Sequence, residues 1–577
     1  MSADESADDA TVADSCTLEF DGWRAVLRAA VSGTHSDRVA AVDGSTEDGA
    51  GDAAGEPAPF ADAATEDTAP SSDGTDEFNA WDAALLAAIT ETDAALTLFA
   101  LAAAVRGWRI SFPPTVVFDE FHFAGFLSRY FTGVHFFDIH PPLARLLLAA
   151  AAKAGGYVHR GLKITHIGQP YGETSYVPAR AGAAFFGAAT APAGYDIART
   201  IGLSRLSSLL LGVFLCLDQL LVIESRLILV DSQLAFFAIA ALAAALRLWR
   251  SPYGTGRRFG YLVATALLGG AAVSSKWTAA ITPVLIAAVS ATGLVFPVEG
   301  RLAVWEMGVA GALAISVYVS AFFVHLKLLP LANTDDQDDL FMSRGFQATL
   351  VGNKHYDPAA KYSFPRAFLE LNQVMLSSNA AITTRHPWES TWREWPLNLR
   401  GILYAQEDAP SVEGGPDVSH LSVKVYLIAS PFISVFVLVA MAAFVVALLV
   451  YLVRLARGTK GTPWAGGAMR DGSADEDRLT FKYVAGTFFL AGYTLNLLPF
   501  MLIARCTFLY HYIPAYLYGL LATAVGVDLL PPRPRAAVAV VGTVAAAAAF
   551  GYWAPWVYGT PLDSAGHQAR QWLPRWD

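Results

Sequence analysis

Residues 118–123 read Phe-Asp-Glu-Phe-His-Phe, which sets two adjacent carboxylates, Asp119 and Glu120, among aromatic side chains. An apolar setting disfavours the charged form, so one acid of such a pair can be raised toward the range of a general base working near neutral pH. The same pair is also an ordinary helix start, where acids offset the helix dipole, and the spacing alone does not choose between the two. A second string, Phe136-Phe137-Asp138-Ile139-His140-Pro141-Pro142-Leu143, places His140 ahead of two prolines. Polar side chains then recur inside or beside apolar sequence: Arg180, Asp218, Asp231, Lys276, His325, Asn496, Arg505 and His511. Groups of this kind are costly in hydrocarbon; each is either a residue at a helix end reaching for the interface or part of a site.

The elements that must position them are membrane spans. Of 577 residues, 54% are hydrophobic and 16% charged, a composition outside the soluble range. The net charge of −11 comes from the N-terminus, where residues 1–85 hold twenty carboxylates against Arg24, Arg28 and Arg38, a local balance of −17 that leaves about +6 elsewhere. The remaining cations are scattered rather than gathered in a stripe able to follow phosphates, which removes a nucleic-acid reading. Cys16, Cys216 and Cys506 are too far apart in sequence for a disulfide framework or a CxxC metal site.

Residues 1–85 have too few large apolar side chains to offset the entropy of ordering and are expected to be a disordered acidic tail, with room for a brief helix over 23–31. The start lacks the basic and short apolar stretches of a signal peptide, so insertion is expected to begin at a later segment. Apolar stretches near the ~20 residues needed to cross hydrocarbon then recur. Eleven spans are expected, over 90–108, 177–198, 203–222, 227–247, 259–276, 278–297, 303–326, 426–453, 481–501, 506–527 and 534–556. Two long excursions, 109–176 and 327–425, are rich in aromatic, Pro and His residues and are expected to fold. The chain thus divides into the tail, an N-terminal membrane module (86–326), the second excursion (327–425) and a C-terminal membrane module (426–577).

Cation bias orients this array. Arg247, Arg250, Arg257 and Arg258 share one loop, Arg454, Arg457 and Lys460 another, Arg533 and Arg535 a third, and an eleven-span count puts all three on the cytosolic side. Both excursions then face the opposite compartment, and the intramembrane polar residues fall in the leaflet beneath them. A transporter places such groups near the midplane, whereas a one-sided group suits a membrane-embedded enzyme.

The strings above, with Leu217-Asp218-Gln219, Glu224-Ser225-Arg226-Leu227-Ile228-Leu229-Val230-Asp231-Ser232, Ser274-Ser275-Lys276-Trp277, Phe341 to Leu350, His386-Pro387-Trp388 and Phe508 to Ala515, resemble the protein O-mannosyltransferase family from about Phe118 to Asp577. The resemblance implies an all-α polytopic fold of the GT-C type (glycosyltransferase family 39) and inverting transfer of mannose from dolichyl phosphate mannose to Ser or Thr hydroxyls of secretory or membrane proteins. Eukaryotic members usually carry a β-trefoil MIR domain in the second excursion. Here nine residues separate Asn353 from Ser363, so a member without that domain is expected. Two further departures are Ala429-Ser430-Pro431 in place of Gly-Asn-Pro, and an acidic run at 335–339 in place of a Gly-rich stretch.

What the resemblance implies for the residues is specific. Asp119 takes the proton of the acceptor hydroxyl, and Glu120 positions the acceptor or holds the motif's backbone. Arg180, Lys276 and Arg505 hold the donor phosphate, where fixed cations stabilise the charge that grows as the glycosidic bond breaks. His140, Asp218, Arg226, Asp231 and His511 shape the pocket, and Asp138 is structural. No metal and no cofactor beyond the donor substrate is expected, and the Asp-x-Asp spacing within 335–339 is taken as a solvated acidic loop rather than a divalent-metal site. The implied location is the endoplasmic reticulum membrane with a lumenal site, or a bacterial plasma membrane with an extracytoplasmic one. A homo- or heterodimer with another family member is the expected assembly. A lipid-linked or other glycan acceptor is the alternative to a protein.

Overall fold

The computed structural model describes residues 90–159, 163–292, 302–333, 337–408, 419–457 and 473–576. The acidic tail, Asp335, Asp336 and Lys460 lie outside these residues. The first helix, α1 (Glu91–Gly107), starts where Thr90 accepts from the Asp93 amide at 3.1 Å and Asp93 accepts in return, a capping box. Ala94, Leu98, Ala102 and Arg106, four residues apart, form its buried face.

The first excursion holds α2 (Glu120–Thr132) and α3 (Leu143–Ala154), and α4 (Val177–Thr200) follows. The third expected span is broken into α5 (Arg205–Leu217) and α6 (Gln219–Glu224). Asp218 causes the break: one carboxylate oxygen caps α6 by accepting from the Leu221 amide, and the other accepts from the Ser430 amide and the Tyr516 hydroxyl, both at 2.9 Å. Residues 225–230 are non-helical, and α7 (Asp231–Arg250) follows. Next come α8 (Gly256–Ser275), a short turn at Trp277–Ala279, α9 (Ile281–Thr292) and α10 (Val304–Leu328). A Cβ on Gly270 would lie 2.7 Å from the Ala314 carbonyl oxygen, so α8 and α10 approach backbone to backbone, the use small residues have between membrane helices.

The second excursion holds α11 (Arg344–Gln347), α12 (Phe364–Ala381), and strands β1 (Ile402–Asp408) and β2 (Ser422–Leu427), paired antiparallel from Ile402↔Leu427 to Asp408↔Ser422. Residues 352–363, where a β-trefoil would be inserted, are a short irregular link. The C-terminal module is α13 (Pro431–Ala456), α14 (Ser473–Leu497), α15 (Ile513–Asp528), α16 (Pro532–Tyr558) and α17 (Ser564–Arg570).

All eleven expected intervals contain a helix, and among the described residues five helices are long and apolar enough to cross a membrane. Three boundaries need correction, the ninth because its helix begins eight residues early, at Ser473. The eighth interval begins with strand residues Tyr426 and Leu427, and its helix starts only at Pro431. The tenth opens with a single turn at Leu509–Tyr512 before α15. α15 is buried on every side, all but Gly526, and forms the centre of the bundle, whereas α10 and α16 turn Ile315, Phe323, Val540, Val541 and Val544 outward as a lipid-facing surface.

The excursions are joined to each other. Leu331 bridges both Val134 and Val351, and Asp339 turns inward to meet His135 at 3.1 Å, the Asn333 amide at 3.1 Å and Asn353 at 3.0 Å. The expectation of a solvated loop therefore fails at Asp339, which is 4% exposed and pins the two excursions together.

Candidate active site

Asp119 occupies the cap position of α2, yet its side chain makes no capping hydrogen bond. Its carboxylate neighbours the Tyr510 hydroxyl instead. The helix-start reading thus accounts for its position but not for its carboxylate. The residue before it, Phe118, has φ +28°, a conformation that costs a bulky L-residue roughly 1–2 kcal/mol. Three rings hold it there: Tyr404 stacked at 5.1 Å, His386 at 5.5 Å and Phe508 at 5.6 Å. Tyr404 sits where the β1–β2 register slips between Leu403 and Ala405, a bulge that re-aims its side chain toward the site. Its hydroxyl donates to Glu224, a carboxylate only 2% exposed. Burial pushes the Asp119 carboxyl above its ordinary range and Asp231 adds to this, while His122, Tyr510 and Lys276 oppose it.

Glu120 does the opposite work from its neighbour. Fully buried, it forms a two-pronged pair with Arg180, Nε to Oε1 at 2.8 Å and Nη2 to Oε2 at 2.7 Å, and accepts from the Ile228 amide at 2.9 Å. Arg180 spends its remaining N–H groups on the carbonyls of Ile110, Pro113 and Thr115. The expectation that Arg180 holds a donor phosphate is corrected on this geometry, because its guanidinium has no N–H directed at a cavity. Both carboxylate oxygens of Glu120 are likewise taken, by Arg180 and the Ile228 amide. Asp218 and Arg226 also stand apart from the cavity. Asp218 is consumed at the α5–α6 break, and Arg226 caps the end of α1 by donating to the carbonyls of Arg106, Trp108 and Arg109 at 2.6–3.0 Å.

Four expected residues do converge. Lys276, Arg505, His140 and His511 line one cavity of ≈ 340 Å³, whose mouth carries the exposed side chains Leu376, Leu495 and Ile503. Lys276 ends α8, and its Nζ pairs with Asp231 at 2.9 and 3.1 Å and lies 4.7 Å from the Tyr510 ring centre. Asp231 therefore fixes Lys276 from behind. Arg505 donates to Asn379 and, at 3.4 Å, toward His511 Nε2, and has no carboxylate partner among the described residues. The other ring nitrogen of His511, Nδ1, faces the Phe508 backbone, 3.1 Å from both its N–H and its carbonyl oxygen. His140 is drawn well below the ordinary imidazole range by burial, with Lys276, Arg505 and His122 adding to it. The cavity thus has cations at its inner end, a base one tyrosine away and an apolar mouth.

Residues 96–330 match the family described as dolichyl-phosphate-mannose-protein mannosyltransferase, and residues 364–576 match the C-terminal four-transmembrane region of protein O-mannosyltransferase. The chain belongs to the protein O-mannosyltransferase family. Protein O-mannosyltransferase 1 of Drosophila melanogaster is 32% identical over 275 residues, 44% of this chain and 30% of that protein. Dolichyl-phosphate-mannose–protein mannosyltransferase 1 of Candida albicans is 32% identical over 306 residues, 50% of this chain and 32% of that protein. The chain spans about a third of the length of the curated relatives it matches. The fold is that of the Saccharomyces cerevisiae protein O-mannosyltransferase Pmt1-Pmt2 complex bound to the sugar donor, with TM-score 0.73 and 20% identity over 85% of this chain and 93% of that one.

The Glu120–Arg180 pair carries a testable consequence. Removing one partner strands the other charge in the interior, a loss of about 3–5 kcal/mol. Arg180→Ala is therefore expected to lower the amount of folded protein in the membrane, with donor affinity per folded molecule unchanged. Normal abundance with lost donor affinity, measured on the same membranes, would return Arg180 to the phosphate.

Proposed function

We propose that this chain transfers mannose from dolichyl phosphate mannose to Ser or Thr hydroxyls of proteins. The observation that carries the reading is the cavity with Lys276 and Arg505 at its inner end, an apolar mouth, and Asp119 joined to it through Tyr510. A lipid tail enters by the mouth and brings its phosphate to the cations. Lys276 acts as a point charge whose position Asp231 fixes, and Arg505 offers its fork. His140 and His511 add ring nitrogens to the same cavity. Asp119 accepts the proton of the acceptor hydroxyl as its oxygen attacks C1, and the bond from C1 to the phosphate oxygen breaks with the charge passing to the phosphate. One base and one displacement invert the anomeric centre.

The reading includes eleven crossings, with the site on the non-cytosolic face, in the endoplasmic reticulum for a eukaryotic chain. It includes pairing with a second family member. Membranes holding the chain, given labelled dolichyl phosphate mannose and a Thr-containing peptide, are expected to label the peptide. Label that stays in lipid, or passes only to a glycan, overturns the protein-acceptor reading.

A further inference from the structure

A second cavity, ≈ 410 Å³, lies against the first and shares with it Phe500, Ile503 and Arg505. Its character is opposite. One wall is the loop 385–394, the other the segment 500–507, and the lining is mostly hydroxyls, guanidinium groups and carboxylates. The two walls are tied together, the Ser390 amide donating to the Thr507 carbonyl at 2.9 Å and the Thr507 hydroxyl to the Ser390 carbonyl at 2.7 Å. The cleft also abuts the base: His386 and Phe508, next to its two walls, are the rings packed on Phe118.

We propose that this cleft binds the acceptor chain as an extended polypeptide segment and favours acidic residues beside the target hydroxyl. The inference rests on the protein-acceptor reading given above. A transfer between a lipid and a protein needs two entrances that meet at the reacting atoms, one apolar and one polar, and the two cavities meet at Arg505. Charge sets the preference. Arg385 pairs with Glu389 at 2.6 Å and Arg575 pairs with Glu394, which leaves Arg393 and Arg505 without carboxylate partners among the described residues. Arg393 is exposed and lies 5.3 Å from the centre of the Trp392 ring, so the pair presents a flat ring with a cation beside it. A ring of this kind packs on a peptide at small entropic cost, while the guanidinium attracts a carboxylate.

The test is a charge exchange on the full chain in membranes. Three peptides share one central Thr and carry Asp, Ala or Lys on both sides, and labelled dolichyl phosphate mannose is the donor. The wild type is expected to use the Asp peptide with kcat/KM about fivefold above the Lys peptide, the scale of an exposed ion pair. Arg393→Glu is expected to invert that order, and Trp392→Ala to raise KM for all three, both with donor KM and abundance unchanged. An order of preference identical in wild type and Arg393→Glu overturns the cleft while leaving the protein-acceptor reading intact. Wild-type membranes that label none of the peptides overturn both.

Discussion

Asp119→Asn is expected to lower turnover by about 10²-fold or more, the usual contribution of a general base, with the amount of folded protein and donor affinity held. The substitution keeps shape, so the packing of Phe118 on Tyr404, His386 and Phe508 survives. Only the proton acceptor is lost. The pH profile gives an independent check. Burial raises the Asp119 carboxyl, so the base is ionised above that raised value, and turnover falls as pH drops through it, at a higher pH than the ordinary Asp value of about 3.9 would give. Glu120→Gln provides the contrast, since it weakens a buried pair with Arg180 and is expected to reduce abundance rather than specific turnover. Asp119→Asn with ordinary specific activity would make the carboxylate a packing feature.

The helices were legible because long apolar runs mark them whatever the tertiary packing. The intervals 177–198 and 303–326 correspond to Val177–Thr200 and Val304–Leu328. Breaks were harder to read. Leu217-Asp218-Gln219 sits in an uninterrupted apolar context, and the break there arises because Asp218 finds partners at Ser430 and Tyr516, far away in sequence. The strand pair left a local trace, the alternation in Ser422-Val-Lys-Val-Tyr-Leu, which the apolar run following it obscured.

The same distinction separates the site residues. Lys276, Arg505, His140 and His511 were recognisable by type and converge. Arg180 was equally recognisable by type, but sequence does not say whether a guanidinium faces a cavity or a carboxylate, and Glu120 took it. Tyr404 and Glu224 went unassigned because their importance is relational. Tyr404 reaches the site through a strand bulge, and Glu224 matters as the acceptor of its hydroxyl.

The second large effect is expected at Lys276, and it needs a paired design. Lys276→Ala removes the cation from the inner end of the cavity and also strands Asp231, 4% exposed, whose carboxylate the ammonium holds at 2.9 and 3.1 Å. An unpaired buried carboxylate costs about 3–5 kcal/mol, so the single variant mixes lost folding with lost chemistry. Lys276→Ala combined with Asp231→Ala removes both charges, and abundance is expected to recover toward wild type. Turnover per folded molecule is expected to stay down by about 10²-fold or more, because a phosphate in a poorly hydrated cavity loses the fixed cation that stabilised its developing charge. Asp231→Asn alone is expected to fall between the two, keeping the ammonium but loosening its placement. If the double variant instead recovers turnover along with abundance, Lys276 serves only to neutralise Asp231, and the charge on the leaving phosphate must be met by Arg505.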